Sequence, residues 1–192
     1  GVYRSADGGL TWTESSTGLT DRALVGIDLC TANPDVVVAV SVLGGVFRST
    51  DGGTIWVQKN NGLGSVVAID GVAFMDIVQN PSNANTLYVA TRNSRIFKST
   101  DGGGQWNILG TSPRYVERFA VASSETEILY AGGGGTFGSA GVFRSSNGGA
   151  SWRDASSLID SNGYTGTITG VAGNPLGGRR AFVGRSRGYI SS

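Results

Sequence analysis

The sequence predicts an all-β fold assembled from repeated four-stranded units, and three observations carry that expectation. One short motif recurs at a near-constant interval along the chain. Each interval holds short β-rich runs separated by turn residues. No window shows the 3.6-residue apolar period of a long amphipathic helix. The motif segments are Gly1–Trp12 (GVYRSADGGLTW), Gly45–Trp56 (GVFRSTDGGTIW), Arg95–Trp106 (RIFKSTDGGGQW) and Gly141–Trp152 (GVFRSSNGGASW), and a fifth copy opens at Arg187 as RGYISS. Their serines, Ser5, Ser49, Ser99, Ser145 and Ser191, are spaced by 44, 50, 46 and 46 residues. Four short strands within such a period match one blade of a β-propeller. Residues 1–192 are therefore expected to form a single propeller segment of about four blades, part of a larger ring.

The elements of a unit follow in order. A first strand is expected in the apolar stretches Val25–Cys30, Val72–Val78, Arg118–Ala122 and Ile168–Ala172. Turns come next, marked by Asn33-Pro34, Asn80-Pro81 and Asn174-Pro175, because an Asn-Pro step initiates a turn. The β-branched and aromatic runs beyond them, Val36–Ser41, Leu87–Thr91 and Ala181–Arg185, read as second strands. The third unit lacks the proline but keeps the run, Ile128–Ala131. The motif itself supplies a third strand, a glycine-rich turn and a tryptophan that leads into a fourth strand.

The recurrence of Ser, Asp, Gly and Trp together in four copies resembles the Asp-box, or BNR, motif Ser-x-Asp-x-Gly-x-Thr-Trp of many β-propellers. The resemblance covers nearly the whole chain and implies that each box forms the hairpin between the third and fourth strands of a blade, at the outer rim. The positions concerned are Ser5, Asp7, Gly9 and Trp12; Ser49, Asp51, Gly53 and Trp56; Ser99, Asp101, Gly103 and Trp106; and Ser145, Asn147, Gly149 and Trp152. Each aspartate can accept hydrogen bonds from its own turn, and the glycine pairs supply positive φ. Each tryptophan is expected to pack between neighbouring strands or blades. Asn147 can make the same turn without a charge, which argues against the boxes as catalytic or calcium sites. No phosphate-loop or EF-hand spacing is present.

Composition narrows the chemistry. The 32 glycines, against only four prolines and no Gly-X-Y period, indicate many tight turns. A net charge of +1 gives no reason to expect nucleic acid, and no apolar stretch approaches the ~20 residues of a spanning helix. With no histidine and a single cysteine, Cys30, histidine-dependent catalysis, a zinc site and an internal disulfide are excluded. Cys30 is expected to be a buried thiol, and neither a cofactor nor a metal is expected.

The resemblance extends to three kinds of propeller. Sialidases use an arginine triad and a tyrosine nucleophile, and no Arg-Ile-Pro segment marks the triad here. Xyloglucanase-like glycosidases need two carboxylates ~5–10 Å apart, and the inner-strand candidates are Asp28, Asp70 and Asp76. Asp21, Glu117, Asp154 and Asp160 are expected in loops. Sortilin-type receptors and photosystem II assembly factors bind other proteins. Arginine outnumbers lysine thirteen to two, and Arg114, Arg118, Arg179, Arg180 and Arg185 are candidate partner-binding residues, since the planar guanidinium binds carboxylates bidentately. Arg187 extends that cluster, whereas Arg4, Arg48, Lys98 and Arg144 share one repeat position beside a box aromatic. Function is expected in the inter-blade loops Glu14–Ala23, Gln58–Gly71, Leu109–Glu117 and Asp154–Thr167, and in the insertion Gly132–Ala140. The main expectation is a non-enzymatic binding or scaffolding propeller with a protein partner or further blades. The alternative is a fragment of an extracellular glycoside hydrolase acting on a glycan. An extracellular, periplasmic or cell-surface location is what the resemblance implies.

Overall fold

The local folding unit is the antiparallel hairpin, set by short β-rich runs and glycine turns. A computed structural model describes residues 1–64, 74–91, 95–109, 116–123, 128–133, 141–156, 168–173 and 181–185. Sixteen strands are described. Three complete sheets form by simple up-and-down connection. In the first blade, β3 (Leu24–Cys30), β4 (Asn33–Ser41), β5 (Gly45–Ser49) and β6 (Val57–Gln58) pair in that order. The second blade holds β7 (Phe74–Asn80), β8 (Asn83–Thr91), β9 (Ile96–Ser99) and β10 (Asn107–Ile108). The third holds β11 (Arg118–Ser123), β12 (Ile128–Gly133), β13 (Gly141–Ser145) and β14 (Arg153–Asp154). Two strands precede them, β1 (Tyr3–Arg4) and β2 (Thr13–Glu14), and two follow, β15 (Ile168–Gly173) and β16 (Ala181–Arg185). This is a series of four-stranded propeller blades.

The core lies between blades, not inside one sheet. Both faces of a middle blade are apolar because alternate residues of a strand point to opposite faces. Val38 and Val40 on β4 face the second blade and join Phe74, Ile77, Leu87, Val89 and Trp106 in one cluster. On the same strand, Ala39 faces backward and joins Val2, Phe47 and Trp56. Tyr88 and Ala90 on β8 carry the pattern into the third blade, against Phe119, Val121 and Leu129. Val142 and Ile168 continue it to β15.

The box hairpins join the third strand to the fourth in all three complete blades, and β1 to β2. Trp56 and Trp106 are buried at the inter-blade seam, each 2% exposed. Their indole N–H groups donate to the preceding segment, at Ser15 O (2.8 Å) and Lys59 O (2.7 Å). Their main-chain N–H groups donate to Thr17 O and Asn61 O, both at 2.9 Å. The chain approaches so closely there that a Cβ on Gly18 or Gly62 would overlap the carbonyl of Trp56 or Trp106, and both glycines have φ near +90°.

Three expectations need correcting, the first being Asp154, which is expected in a loop but lies in β14 opposite Phe143. Trp12 does not pack between blades: it is 63% exposed, and its indole N–H turns back to Gly9 O of its own box. The Asn-Pro steps are not equivalent either. Asn33 begins β4, whereas Asn80 ends β7 and Pro81 lies in the following turn.

Candidate functional site

The first strands of successive blades, β3, β7, β11 and β15, line a groove of about 320 Å³. Strand alternation sends Asp28 on β3 and Asp76 on β7 toward the next blade. Each carboxylate uses one oxygen locally and one across the seam. Asp28 accepts from the N–H of Leu29 (2.9 Å) with Oδ1 and of Gln79 on β7 (2.7 Å) with Oδ2. Asp76 does the same one blade further on, accepting from Ile77 N (3.0 Å) and from Phe119 N on β11 (2.9 Å). First strands face one another without pairing as a sheet, so their outward N–H groups need acceptors. A short carboxylate supplies two at once.

The two acids are not at one repeat position. Pairing with the second strands places Gly26, not Asp28, at the level of Asp76. In the third blade Arg118 takes that level, and its Nε donates to Thr169 O on β15 (3.2 Å) while Nη1 donates to Glu117 O (2.7 Å). The seam is thus bridged by a carboxylate twice and by a guanidinium once.

Burial sets the electrostatics. Desolvation pushes the Asp28 carboxyl above its ordinary range against the pull of its two N–H donors. The same cause raises Asp76 to about 6; its N–H donors and Arg118 oppose the shift, and Asp28 adds to it. A carboxyl in that state holds a proton in mildly acidic solution, which a proton donor requires. Gln79, buried beside Asp28, donates through Nε2 to Asp28 O (2.9 Å) and Val36 O (3.4 Å).

The boxes form a second, separate set of sites at the rim. In each, the serine hydroxyl donates to the Asp or Asn side chain and accepts from the N–H of the second glycine, all at 2.7–2.9 Å. The acceptor side chain then takes the N–H of residue Thr11, Ile55, Gln105 or Ser151. Asn147 reproduces the Asp geometry and adds a bond from Nδ2 to Ser151 Oγ. Turn hydrogen bonds hold the carboxyls of Asp7, Asp51 and Asp101 below their usual range, led by Thr11, Ser49 and Gln105 respectively. In these hairpins the box carboxylates bind their own turn.

Of the remaining candidates, Asp70, Arg114, Arg179, Arg180, Arg187 and Asp160 lie outside the described residues, and the side chain of Arg185 does too. Asp21 bridges the segment before β3 to the β4–β5 turn, accepting from Ala23, Leu43 and Gly44 N–H. Arg48 reaches the next blade, where Nη2 donates to Asn85 Oδ1 (3.4 Å). Cys30 is fully buried with Sγ 3.5 Å from Pro81 O. Sequence reasoning missed Gln79, Gly18 and Gly62; none sits in a recognisable motif, though both glycines follow a box tryptophan by six residues.

No family model matches the chain. A xyloglucanase from Hypocrea jecorina (strain QM6a) is 37% identical over 113 residues, which is 57% of this chain and 13% of that enzyme. Among solved structures, a GH74 enzyme from Niastella koreensis superimposes with a TM-score of 0.67 at 23% identity, over 94% of this chain and 29% of its own. YCF48 from Cyanidioschyzon merolae gives 0.57 at 19%, over 88% and 57%. A YCF48 bound to D1 peptide gives 0.52 at 12%, over 72% and 46%. These likenesses establish the fold as β-propeller. The chain spans 13% of the length of the xyloglucanase and 29% of the Niastella enzyme.

Proposed function

We propose that this chain is a binding or scaffolding segment of an Asp-box β-propeller, presenting its inter-blade loops to a protein partner, with further blades completing the ring. The observation that carries this reading is the use made of Asp28 and Asp76. Each carboxylate is held by two main-chain N–H groups and ties neighbouring blades together. The acids placed best for hydrolysis therefore serve the fold. Support comes also from the similarity to a YCF48 whose structure holds a D1 peptide. Arg114, Arg179, Arg180 and Arg185 are the residues we assign to the partner, as donors to carboxylates, whereas Arg118 is engaged in bridging the seam. An extracellular, periplasmic or cell-surface location belongs to the same proposal.

One observation favours a second reading, a glycoside hydrolase fragment that uses a carboxylate pair. Asp76 is raised to about 6, as a general acid needs, and the chain resembles a xyloglucanase in sequence. Two assays on the purified chain separate the readings: reducing-sugar release from a panel of β-glucans, and binding to immobilised peptides and glycans. The scaffolding reading expects peptide binding without sugar release. Sugar release abolished by Asp28→Asn, Asp70→Asn or Asp76→Asn would overturn it.

A further inference from the structure

The loop that crosses the seam between the first and second blades contains an Asn-Gly step, Asn61-Gly62, where the corresponding loop one seam earlier has Thr17-Gly18. The two crossings are built alike. Both glycines have φ near +90°, and the carbonyls of Thr17 and Asn61 accept the main-chain N–H of Trp56 and Trp106. They differ in chemistry, because only Asn61 carries a side-chain amide. Asn61 and Gly62 are both exposed. The Asn61 amide makes one hydrogen bond, from Nδ2 to Oε1 of Gln105 (2.8 Å), itself an exposed side chain. Among the described residues the Gly62 N–H donates to no acceptor. The Asn-Gly step of the fourth box, Asn147-Gly148, is held more firmly. There Oδ1 accepts from Ser145 Oγ and Ser151 N, and Nδ2 donates to Ser151 Oγ, all at 2.9 Å. A third such step, Asn162-Gly163, lies outside the described residues.

We propose that Asn61 is a site of spontaneous covalent modification, deamidation to isoaspartate, and that this change loosens the seam the loop spans. Asparagine is thermolabile because the nitrogen of the following residue can attack its side-chain amide, and a glycine there puts no side chain in the way. The Gly62 nitrogen gives its proton to hydroxide and bonds to Cγ of Asn61. The Cγ–Nδ2 bond breaks, and Nδ2 takes a proton from water and leaves as ammonia. Water then opens the five-membered succinimide. Cleavage between the nitrogen and Cγ gives aspartate. Cleavage between the nitrogen and the main-chain carbonyl carbon gives isoaspartate, with the main chain rerouted through Cβ and Cγ. One water enters, one ammonia leaves, and nothing is oxidised or reduced. Isoaspartate lengthens the main chain by one carbon and turns the Asn61 carbonyl into a free carboxylate. The crossing has no slack for it, since even a Cβ on Gly62 would overlap the Trp106 carbonyl. The main-chain bond from Trp106 N to Asn61 O is then lost, and the seam with it weakens. Asn147 resists the same attack, because both heteroatoms of its amide are engaged within the box.

The test holds the protein in warm, mildly alkaline buffer and follows the Asn61 and Asn147 peptides by mass spectrometry, with the aspartate and isoaspartate forms separated by chromatography. The expected result is conversion at Asn61 several-fold faster than at Asn147, with isoaspartate among the products. The melting temperature should fall as isoaspartate accumulates. Asn61→Thr, which copies the residue at the earlier seam, should keep its melting temperature under the same treatment. Asn61→Asp carries the new charge without the extra main-chain carbon, and it should melt near the fresh wild type. Four results would each overturn the proposal: an Asn61 that stays intact, an Asn147 that converts as fast, aspartate as the sole product, or an aged Asn61→Thr chain that loses as much as the aged wild type.

Discussion

Asp76 shows how one residue's environment becomes a measurable property of the fold. Its carboxyl has an ordinary value of 3.8 and is raised to about 6, chiefly by burial. Below pH 3.8 the folded and unfolded states both hold the proton, and the contribution to stability is complete. Between 3.8 and about 6 the folded state keeps a proton that the unfolded chain releases. Stability therefore falls as pH rises through that window, by roughly 3 kcal/mol at most, and less where solvent screens the exposed part of the carboxylate. Urea unfolding of the wild type and of Asp76→Asn at pH 4 and pH 7 reads this out. The expected result is a smaller pH 4-to-7 loss in the variant, and equal losses would refute the assignment. The box acids act oppositely: their lowered carboxyls add stability that is present above their ordinary value and disappears as pH falls further. In the second box, Asp51→Asn should leave the melting temperature nearly unchanged, because Asn147 makes the same turn. Asp51→Ala should lower it, because the N–H groups of Thr54 and Ile55 lose their acceptor. The box residues were legible from recurrence. The clip made by Asp28 and Asp76 was not, because the two acids sit two residues apart in register and no repeat aligns them.

Strands and hairpins were the most legible level, and the reasons for success and failure are physical. The first-strand run Arg118–Ala122 lies within β11 (Arg118–Ser123), and Ala181–Arg185 coincides with β16. Such runs end where side-chain alternation ends. The Asn-Pro steps misled because turn chemistry marks a bend without fixing its register: Asn33 opens a strand and Asn80 closes one. The fourth strands, two residues each, were legible only through the box that precedes them. Burial of the tryptophans depends on a neighbour that the motif does not encode, so Trp56 and Trp12 share a repeat position yet differ in exposure. Trp56→Phe should cost about 1–3 kcal/mol, through the lost bond to Ser15 O and the smaller ring. Trp12→Phe should change stability little, since that ring is mostly solvated. Thermal melts of the two variants side by side test the seam, and equal losses would contradict it. Gly18→Ala tests the loop that crosses the seam. A positive φ and a close carbonyl both oppose the methyl, so a loss of about 2 kcal/mol or more is expected.

The described blades behave as a linear array, because each of their apolar clusters joins only consecutive blades. Stability is then a sum over seams, and it should be uneven along the chain. The second blade is packed on both faces, by Val38 and Val40 on one side and by Phe119 and Leu129 on the other. At the first blade, β3 leaves Val25, Ile27 and Leu29 uncovered, and at the far end β16 leaves Phe182 uncovered. Local opening follows the number of packed faces, so amide exchange should be slowest in β8 and faster in β3, β15 and β16. The β1–β2 hairpin, with exposed side chains on both strands, should exchange fastest of all. Hydrogen–deuterium exchange with peptide-level readout measures this gradient, and uniform protection would mean that the seams open together as one unit.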